Sequence, residues 1–262
     1  MTQTSNTALI TGASGGIGLE LARVFAENGY GLVLVARRAE KLESLAEELR
    51  GAHSTPVEVL SMDLSQSGAA ENVFRETTER GLEVDVLVNN AGFALYGPFH
   101  AQNQEHVLEM IQLNVAALTQ LTHLFLPGMM ERRNGMVMNV ASTAAFQPGP
   151  LMAGYFASKS YVLHFSEAVA VELEGTGVTF TTLCPGPTAS DFQTRANMED
   201  SKLLRAPMMS SRKVAEIGYR AMLRGKTVVI PGVGNKVGAF AGRFLPRKML
   251  AKTLYKLQAP ET

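Results

Sequence analysis

Thr7-Ala8-Leu9-Ile10-Thr11-Gly12-Ala13-Ser14-Gly15-Gly16-Ile17-Gly18-Leu19-Glu20-Leu21-Ala22-Arg23-Val24-Phe25-Ala26 is the stretch that decides the fold. Its first five residues are short, apolar and partly β-branched, as a buried strand would be. Glycines follow at once, and from Leu19 the apolar residues return at helical spacing. Strand, glycine turn and helix start gather backbone N–H groups at a helix N-terminus, which suits a phosphate. The spacing is Gly12-x3-Gly16-x-Gly18, not the commoner G-x-G-x-x-G. Such a loop can be a tight turn and nothing more. Its place directly after the first strand favours the nucleotide reading.

Outward from this unit the same alternation continues. Short apolar runs recur at 7–11, 31–36, 57–61, 85–89, 135–140, 177–183 and 226–231. Helical patterns separate them at about 17–28, 39–50, 67–80, 103–126, 153–173 and 211–224. The alternation predicts an α/β fold: a doubly wound, mostly parallel, Rossmann-like sheet of about seven strands with helices on both faces. Right-handed crossovers then line up the motif-bearing strand ends along one edge, where cofactor and substrate belong. Residues 1–262 are expected to form one domain, with a substrate lid near 189–210 and a basic segment at 235–262.

With 46% hydrophobic residues the chain can fill a core on both sheet faces. Met1–Asn6 shows neither a charged leader region nor an apolar one, and no run approaches the roughly 18 apolar residues of a spanning helix. The single cysteine, Cys184, excludes an intrachain disulfide, so a cytoplasmic protein is expected, and the thiol reads as a packing residue. His53, His100, His106, His123 and His164 show no ligand spacing, and no metal is expected. No G-x-S-x-G turn supports a hydrolase. No nucleic-acid partner is expected.

Chemistry concentrates in the second half. Tyr155 and Lys159 are four apart on a helical pattern and share a face. A phenol near pKa 10 exchanges protons poorly at neutral pH, and a neighbouring ammonium lowers that value. Alone, this pair could be an ordinary surface pair. Ser142 lies thirteen residues upstream and Asn114 further back, within Met110-Ile111-Gln112-Leu113-Asn114-Val115. There Asn114 could be a satisfied helix-packing amide.

Thr11-Gly12-x3-Gly16-x-Gly18, Asp63-Leu64, Asn89-Asn90-Ala91-Gly92, Asn114, Ser142, Tyr155-x3-Lys159 and Pro185-Gly186 together resemble the short-chain dehydrogenase/reductase family, in its compact single-domain branch. The match runs in family order over about residues 7 to 190. The resemblance implies an NAD(P)-dependent oxidoreductase with Asn114, Ser142, Tyr155 and Lys159 as its catalytic tetrad. It also implies cofactor contacts from Gly12, Ser14, Gly16, Ile17, Gly18, Asp63, Leu64, Asn90, Ala91, Gly92, Tyr155, Lys159, Pro185, Gly186 and Thr188. One departure is Ser190, where the family's Pro-Gly-x-x-x-Thr ends in threonine; a hydroxyl is kept.

The second strand ends without the carboxylate that would hold the ribose 2′-hydroxyl of NAD. Arg37 and Arg38 follow instead, and a guanidinium suits a 2′-phosphate. NADP(H) is therefore favoured over NAD(H), with Arg37 the more direct phosphate ligand by resemblance and Ser14 a second contact. In the implied reaction Tyr155 protonates a carbonyl oxygen that Ser142 positions, Lys159 lowers the tyrosine pKa and holds the nicotinamide ribose, and Asn114 anchors a proton-relaying water.

Three loops, 93–99, 143–154 and 189–210, are expected to wall the substrate. They offer Phe93, Leu95, Tyr96, Phe146, Leu151, Met152, Phe192, Leu203, Leu204, Met208 and Met209, which favours a lipophilic ketone or aldehyde. The alternative function is a nucleotide-binding scaffold or redox sensor of low turnover. A homodimer or homotetramer is expected through the helices around 103–126 and 153–173. Residues 202–262 hold 13 Lys/Arg against 2 Asp/Glu. This basic tail is read either as a helix docked on the body or as a peripheral contact with anionic lipid or an anionic acyl carrier.

Overall fold

Leu9 faces one side of the sheet while its neighbours Ala8 and Ile10 face the other, and all three are fully buried. That is why the first strand, β1 (Thr7–Thr11), reads as an unbroken apolar run: a parallel strand covered on both faces has no wet side. Burying each such Leu or Ile side chain contributes about 1.5–3 kcal/mol. β2 (Gly31–Ala36) repeats the arrangement, with Leu32 and Leu34 on the face of Ile10 and with Val33 and Val35 on that of Leu9. A computed structural model describes residues 6–190, 192 and 208–259.

α1 (Gly16–Glu27) and α2 (Ala39–His53) lead to β2 and to β3 (Val57–Ser61). α3 (Ala69–Glu79) crosses to β4 (Val86–Asn89). α4 (Gln104–Ile111) runs through a π-helical segment, Gln112–Ala117, into α5 (Leu118–Glu131), and β5 (Gly135–Val140) follows. Then come α6 (Ala153–Glu172), β6 (Val178–Leu183), β7 (Thr188–Ala189), β8 (Met209–Ser210), α7 (Ser211–Leu223) and β9 (Val228–Val229). α8 (Val233–Ala241) and α9 (Arg247–Gln258) close the described chain.

Among the described residues the main sheet has seven strands in the order β3-β2-β1-β4-β5-β6-β9, every pair parallel. The strand order reverses between β1 and β4, so a crevice opens beyond their carboxyl ends. α1, α2 and α7 cover one face and α3, α5 and α6 the other. The expected sheet is observed, with the last strand shortened to Val228–Val229. The single helix expected over 103–126 is instead three segments, joined through the π turn that contains Asn114.

Most of the expected lid, including Leu203 and Leu204, lies outside the described residues. Its two ends are paired: Thr188 with Met209 and Ala189 with Ser210. Ser211 Oγ adds a 2.9 Å bond to the carbonyl of Ala189. The expected tail helix broken by Pro246 is found as two helices, with Pro246 just before the start of α9, where its missing N–H is not needed. Among the described residues no helix is long and apolar enough to cross a membrane.

Candidate active site

A cleft of about 740 Å³ opens at the carboxyl edge of the sheet. The glycine turn after β1 forms one end of it. Gly12 donates to the carbonyl of Val35 at 2.8 Å, tying the turn to β2. Gly18 is required by close approach: a Cβ there would lie 2.4 Å from both the Gly12 carbonyl oxygen and Asn90 Nδ2. Asn90 holds the turn from the other side, through Nδ2 to the carbonyl of Thr11 at 2.9 Å. Gly18 therefore serves packing rather than ligand space. Gly16 and Ile17 begin α1 and line the cleft. That helix has no side-chain cap and no acidic residue in its first turn, so its N–H groups and positive dipole end are left for an anion.

Further along the edge, Arg37, Arg38, Asp63 and Leu64 border the cleft. Arg38, not Arg37, reaches Ser14: its Nη2 donates to the Ser14 carbonyl at 3.1 Å and to Ser14 Oγ at 3.0 Å. Arg37 stands 3.5 Å from the Asp63 carboxylate, which also accepts from Ser65 N and Oγ. Ser14, expected as a second contact to the phosphate, is thus bonded to Arg38. Arg38 ends the strand-to-helix turn before α2, and from there its side chain folds back over the glycine loop. Uncapped helix N–H groups and cations along one edge together fit a dinucleotide.

Asn90, Ala91 and Gly92 lie at the end of β4, and their loop is held by Thr11 Oγ1, which accepts from Asn90 N at 2.9 Å and Ala91 N at 3.0 Å. Asn114 is buried behind this loop. Its Nδ2 donates to the Phe93 carbonyl at 2.9 Å and to Ser158 Oγ at 3.1 Å, and its Oδ1 accepts from Phe93 N at 3.1 Å. The amide is spent on fastening β4's loop to α6, which is the packing reading of Asn114.

Ser142 follows β5 in extended conformation and caps the short helix Thr143–Phe146, its Oγ accepting from Ala144 N at 3.1 Å. Tyr155 and Lys159 share the buried face of α6, as their spacing predicts. Burial pushes the Tyr155 phenol up to about 12, with the neighbouring Ser142 hydroxyl pulling the other way. Burial lowers Lys159 to about 8. Its Nζ donates to the Val140 carbonyl at 2.8 Å. Desolvation therefore dominates both groups, and the lowering of the tyrosine by lysine expected from their spacing is not the leading effect. Cys184 is buried beside them with its thiol pushed up to about 12, mainly by burial, which agrees with a packing residue.

Pro185, Gly186 and Thr188 line the cleft beyond β6, and Thr188 Oγ1 turns back to the Gly186 carbonyl at 2.9 Å. Phe93, Leu95, Met152 and Phe192 form the apolar end expected of them. Phe192 packs on the Tyr155 ring at 5.5 Å. Several expected wall residues are used elsewhere. Phe146 packs between α6 and the end of β6, Met209 packs under the sheet, Met208 is exposed, and Leu151, whose backbone carbonyl accepts from Gly97 N, does not line the cleft. Tyr96 instead donates to the carbonyl of Gln258. This contact brings α9 over the cleft, where Leu254 and Gln258 join the wall with His106 and Glu109 of α4. None of these four was expected; the only sequence signal was Leu254 as the buried stripe of an amphipathic helix.

The sequence profile of the short chain dehydrogenase family matches residues 6–201. The chain belongs to the short-chain dehydrogenase family. Family relatives include a very-long-chain 3-oxoacyl-CoA reductase of Aspergillus clavatus, 36% identical over 174 residues, which are 66% of this chain and 50% of the relative. The chain thus spans about half the length of such relatives. Among solved short-chain dehydrogenases, that of Sphingobium yanoikuyae in complex with NADPH is 31% identical, with a TM-score of 0.83 over 98% of this chain and 99% of that one. The bulky-bulky ketone specific alcohol dehydrogenase of Comamonas testosteroni is 27% identical, with a TM-score of 0.78 over 93% and 100% of the two chains.

Proposed function

We propose that this oxidoreductase is an NADP(H)-dependent carbonyl reductase or alcohol dehydrogenase for a lipophilic ketone or aldehyde. The observation that carries the reading is that the buried Tyr155, Ser142 and Lys159 line one cleft together, beside its apolar end. When held in the cleft, the nicotinamide would supply or accept the hydride. Tyr155 exchanges the proton at the substrate oxygen, and Ser142 orients that oxygen. A phenol held near 12 stays protonated at neutral pH, which suits a general acid in the reductive direction. Lys159, with a value near 8, holds a proton close to the phenol and can replace the one that Tyr155 gives up. Asn114 acts by keeping the loop at Gly92 against α6.

Arg37 and Arg38 support the choice of NADP(H), being cations at the place where an NAD enzyme has a carboxylate. Phe93, Leu95, Met152, Phe192 and Leu254 support an apolar substrate. A similar structure whose title names a bulky ketone agrees with that class.

The test is absorbance-monitored turnover of NADPH with ketones and aldehydes of graded chain length, for the native chain and for Tyr155→Phe. Tyr155→Phe is expected to keep NADPH binding and to lose nearly all turnover. Undiminished turnover would remove Tyr155 from the proton-transfer role, and turnover confined to polyols would overturn the substrate class.

A further inference from the structure

From Ile217 to Pro260 the sequence holds no acidic residue. Lys248, Lys252 and Lys256 recur every fourth residue along α9 and so share one face, opposite the Leu254 and Gln258 that wall the cleft. All three are exposed, as are Lys236 and Arg247. Apolar side chains are exposed among these cations. Phe244, at the junction of α8 and α9, is 86% exposed, and Val233 and Val237, one turn apart on α8, are 78% and 63% exposed. Leu245 and Met249 are exposed beside the junction. Burying any of these side chains is favourable, so a helix pair that leaves them in water has a face for something else.

Charge decides what that is. A second copy meeting this face about a two-fold axis would set its cations against the same cations, with no acidic side chain between Ile217 and Pro260 of either copy to offset them. An anionic bilayer offers the complementary charge. Its headgroup boundary also accepts scattered apolar side chains, which a rigid partner would have to match with pockets. We propose that α8 and α9 form a peripheral docking surface for an anionic lipid bilayer. The Lys248–Lys252–Lys256 face meets the headgroups, and Phe244 and Leu245 enter the boundary beneath them. Because the other side of α9 walls the cleft, docking sets the apolar end of the cleft close to the lipid. The surface stands independently of the carbonyl-reductase reading, since binding is measured without turnover.

The experiment is sedimentation of the full chain with vesicles of phosphatidylcholine alone or mixed with phosphatidylglycerol, at low and high salt. Binding is expected only with the anionic vesicles, and it should weaken as salt rises. The triple substitution Lys248→Gln, Lys252→Gln, Lys256→Gln is expected to lower partitioning roughly 100-fold, each basic residue contributing on the order of fivefold at an anionic surface. Phe244→Ser should lower it roughly tenfold by removing the apolar anchor. All four positions are exposed, and an unchanged thermal melt checks that the variants fold. Equal pelleting with neutral and anionic vesicles, no pelleting with either, or anionic binding untouched by both variants would overturn the proposal. So would variants that leave vesicle binding alone but change the mass in light scattering, which would assign the face to another protein chain.

Discussion

Lys159 Nζ lies 5.9 Å from the centre of the Tyr155 ring and donates its hydrogen bond to the backbone carbonyl of Val140. The ammonium is therefore anchored to the sheet rather than to the phenol. Both side chains are buried, and burial disfavours both charged forms: the phenol stays neutral below about 12 and the amine loses its proton above about 8.

That burial makes the lysine a stability liability with a defined pH window. Its folded value near 8 is below the ordinary 10.5, so between those values the unfolded chain binds more protons. Stability from this group then rises as pH climbs from 8 to 10.5, and the penalty is fully present below 8. Its size is about 3 kcal/mol. Lys159→Met removes the penalty but leaves the Val140 carbonyl without its donor, at about 1–3 kcal/mol. The variant is expected to match or exceed the native chain in urea unfolding at pH 7 and to fall behind it by pH 10. A difference that stays constant across this range would contradict a depressed lysine.

The two arginines are expected to separate by cofactor. Arg37→Ala should weaken NADPH by about 1.5–3 kcal/mol, the loss of one charged phosphate contact, and leave NADH nearly unchanged. Arg38 is bonded to the carbonyl and hydroxyl of Ser14, so Arg38→Ala loosens the glycine loop that both cofactors use. It should weaken both. Fluorescence titration of each variant with NADPH and NADH checks this, and equal weakening of the two cofactors by Arg37→Ala would remove it as the 2′-phosphate ligand.

The parallel strands were legible because strands buried on both faces leave no polar interruption, and the glycine turn was legible because it follows such a strand directly. The Tyr155–Lys159 pair followed from helical period alone. Other features depend on long-range geometry that local pattern does not encode. The π turn at Gln112–Ala117 looks in sequence like any helix, the two-residue strands Thr188–Ala189 and Met209–Ser210 are too short to carry a period, and Arg38's reach to Ser14 depends on a side-chain direction. The approach of α9 to the cleft includes a contact of Tyr96 with Gln258, 162 residues further along the chain.

A closed homo-oligomer is expected, because Leu108 and Ile111 near the C-terminal end of α4 and Tyr161 and Val171 on α6 are exposed apolar side chains on the long helices of one side of the molecule. Light scattering should return a multiple of the 28.2 kDa chain. A single-chain mass throughout the micromolar range would contradict it.

Gly92 and Asn114 should behave as one unit. A Cβ at Gly92 would lie 2.9 Å from Asn114 Oδ1 and 3.5 Å from Lys159 Nζ, so Gly92→Ala forces the amide, the ammonium or the loop to move. Overpacking of this kind costs about 1–3 kcal/mol, and here it should also lower turnover by shifting Lys159. Asn114→Ala removes the clash but strands the Phe93 N–H and carbonyl, for about 2 kcal/mol at this half-buried site. The double variant is therefore expected to be more stable than the sum of the two single losses, because the tight contact of Gly92→Ala with Asn114 Oδ1 disappears with the amide and only ordinary contact with Lys159 Nζ remains. Denaturant unfolding of the four chains measures the coupling. Strict additivity would mean that the loop yields to the new methyl without pressing on Asn114.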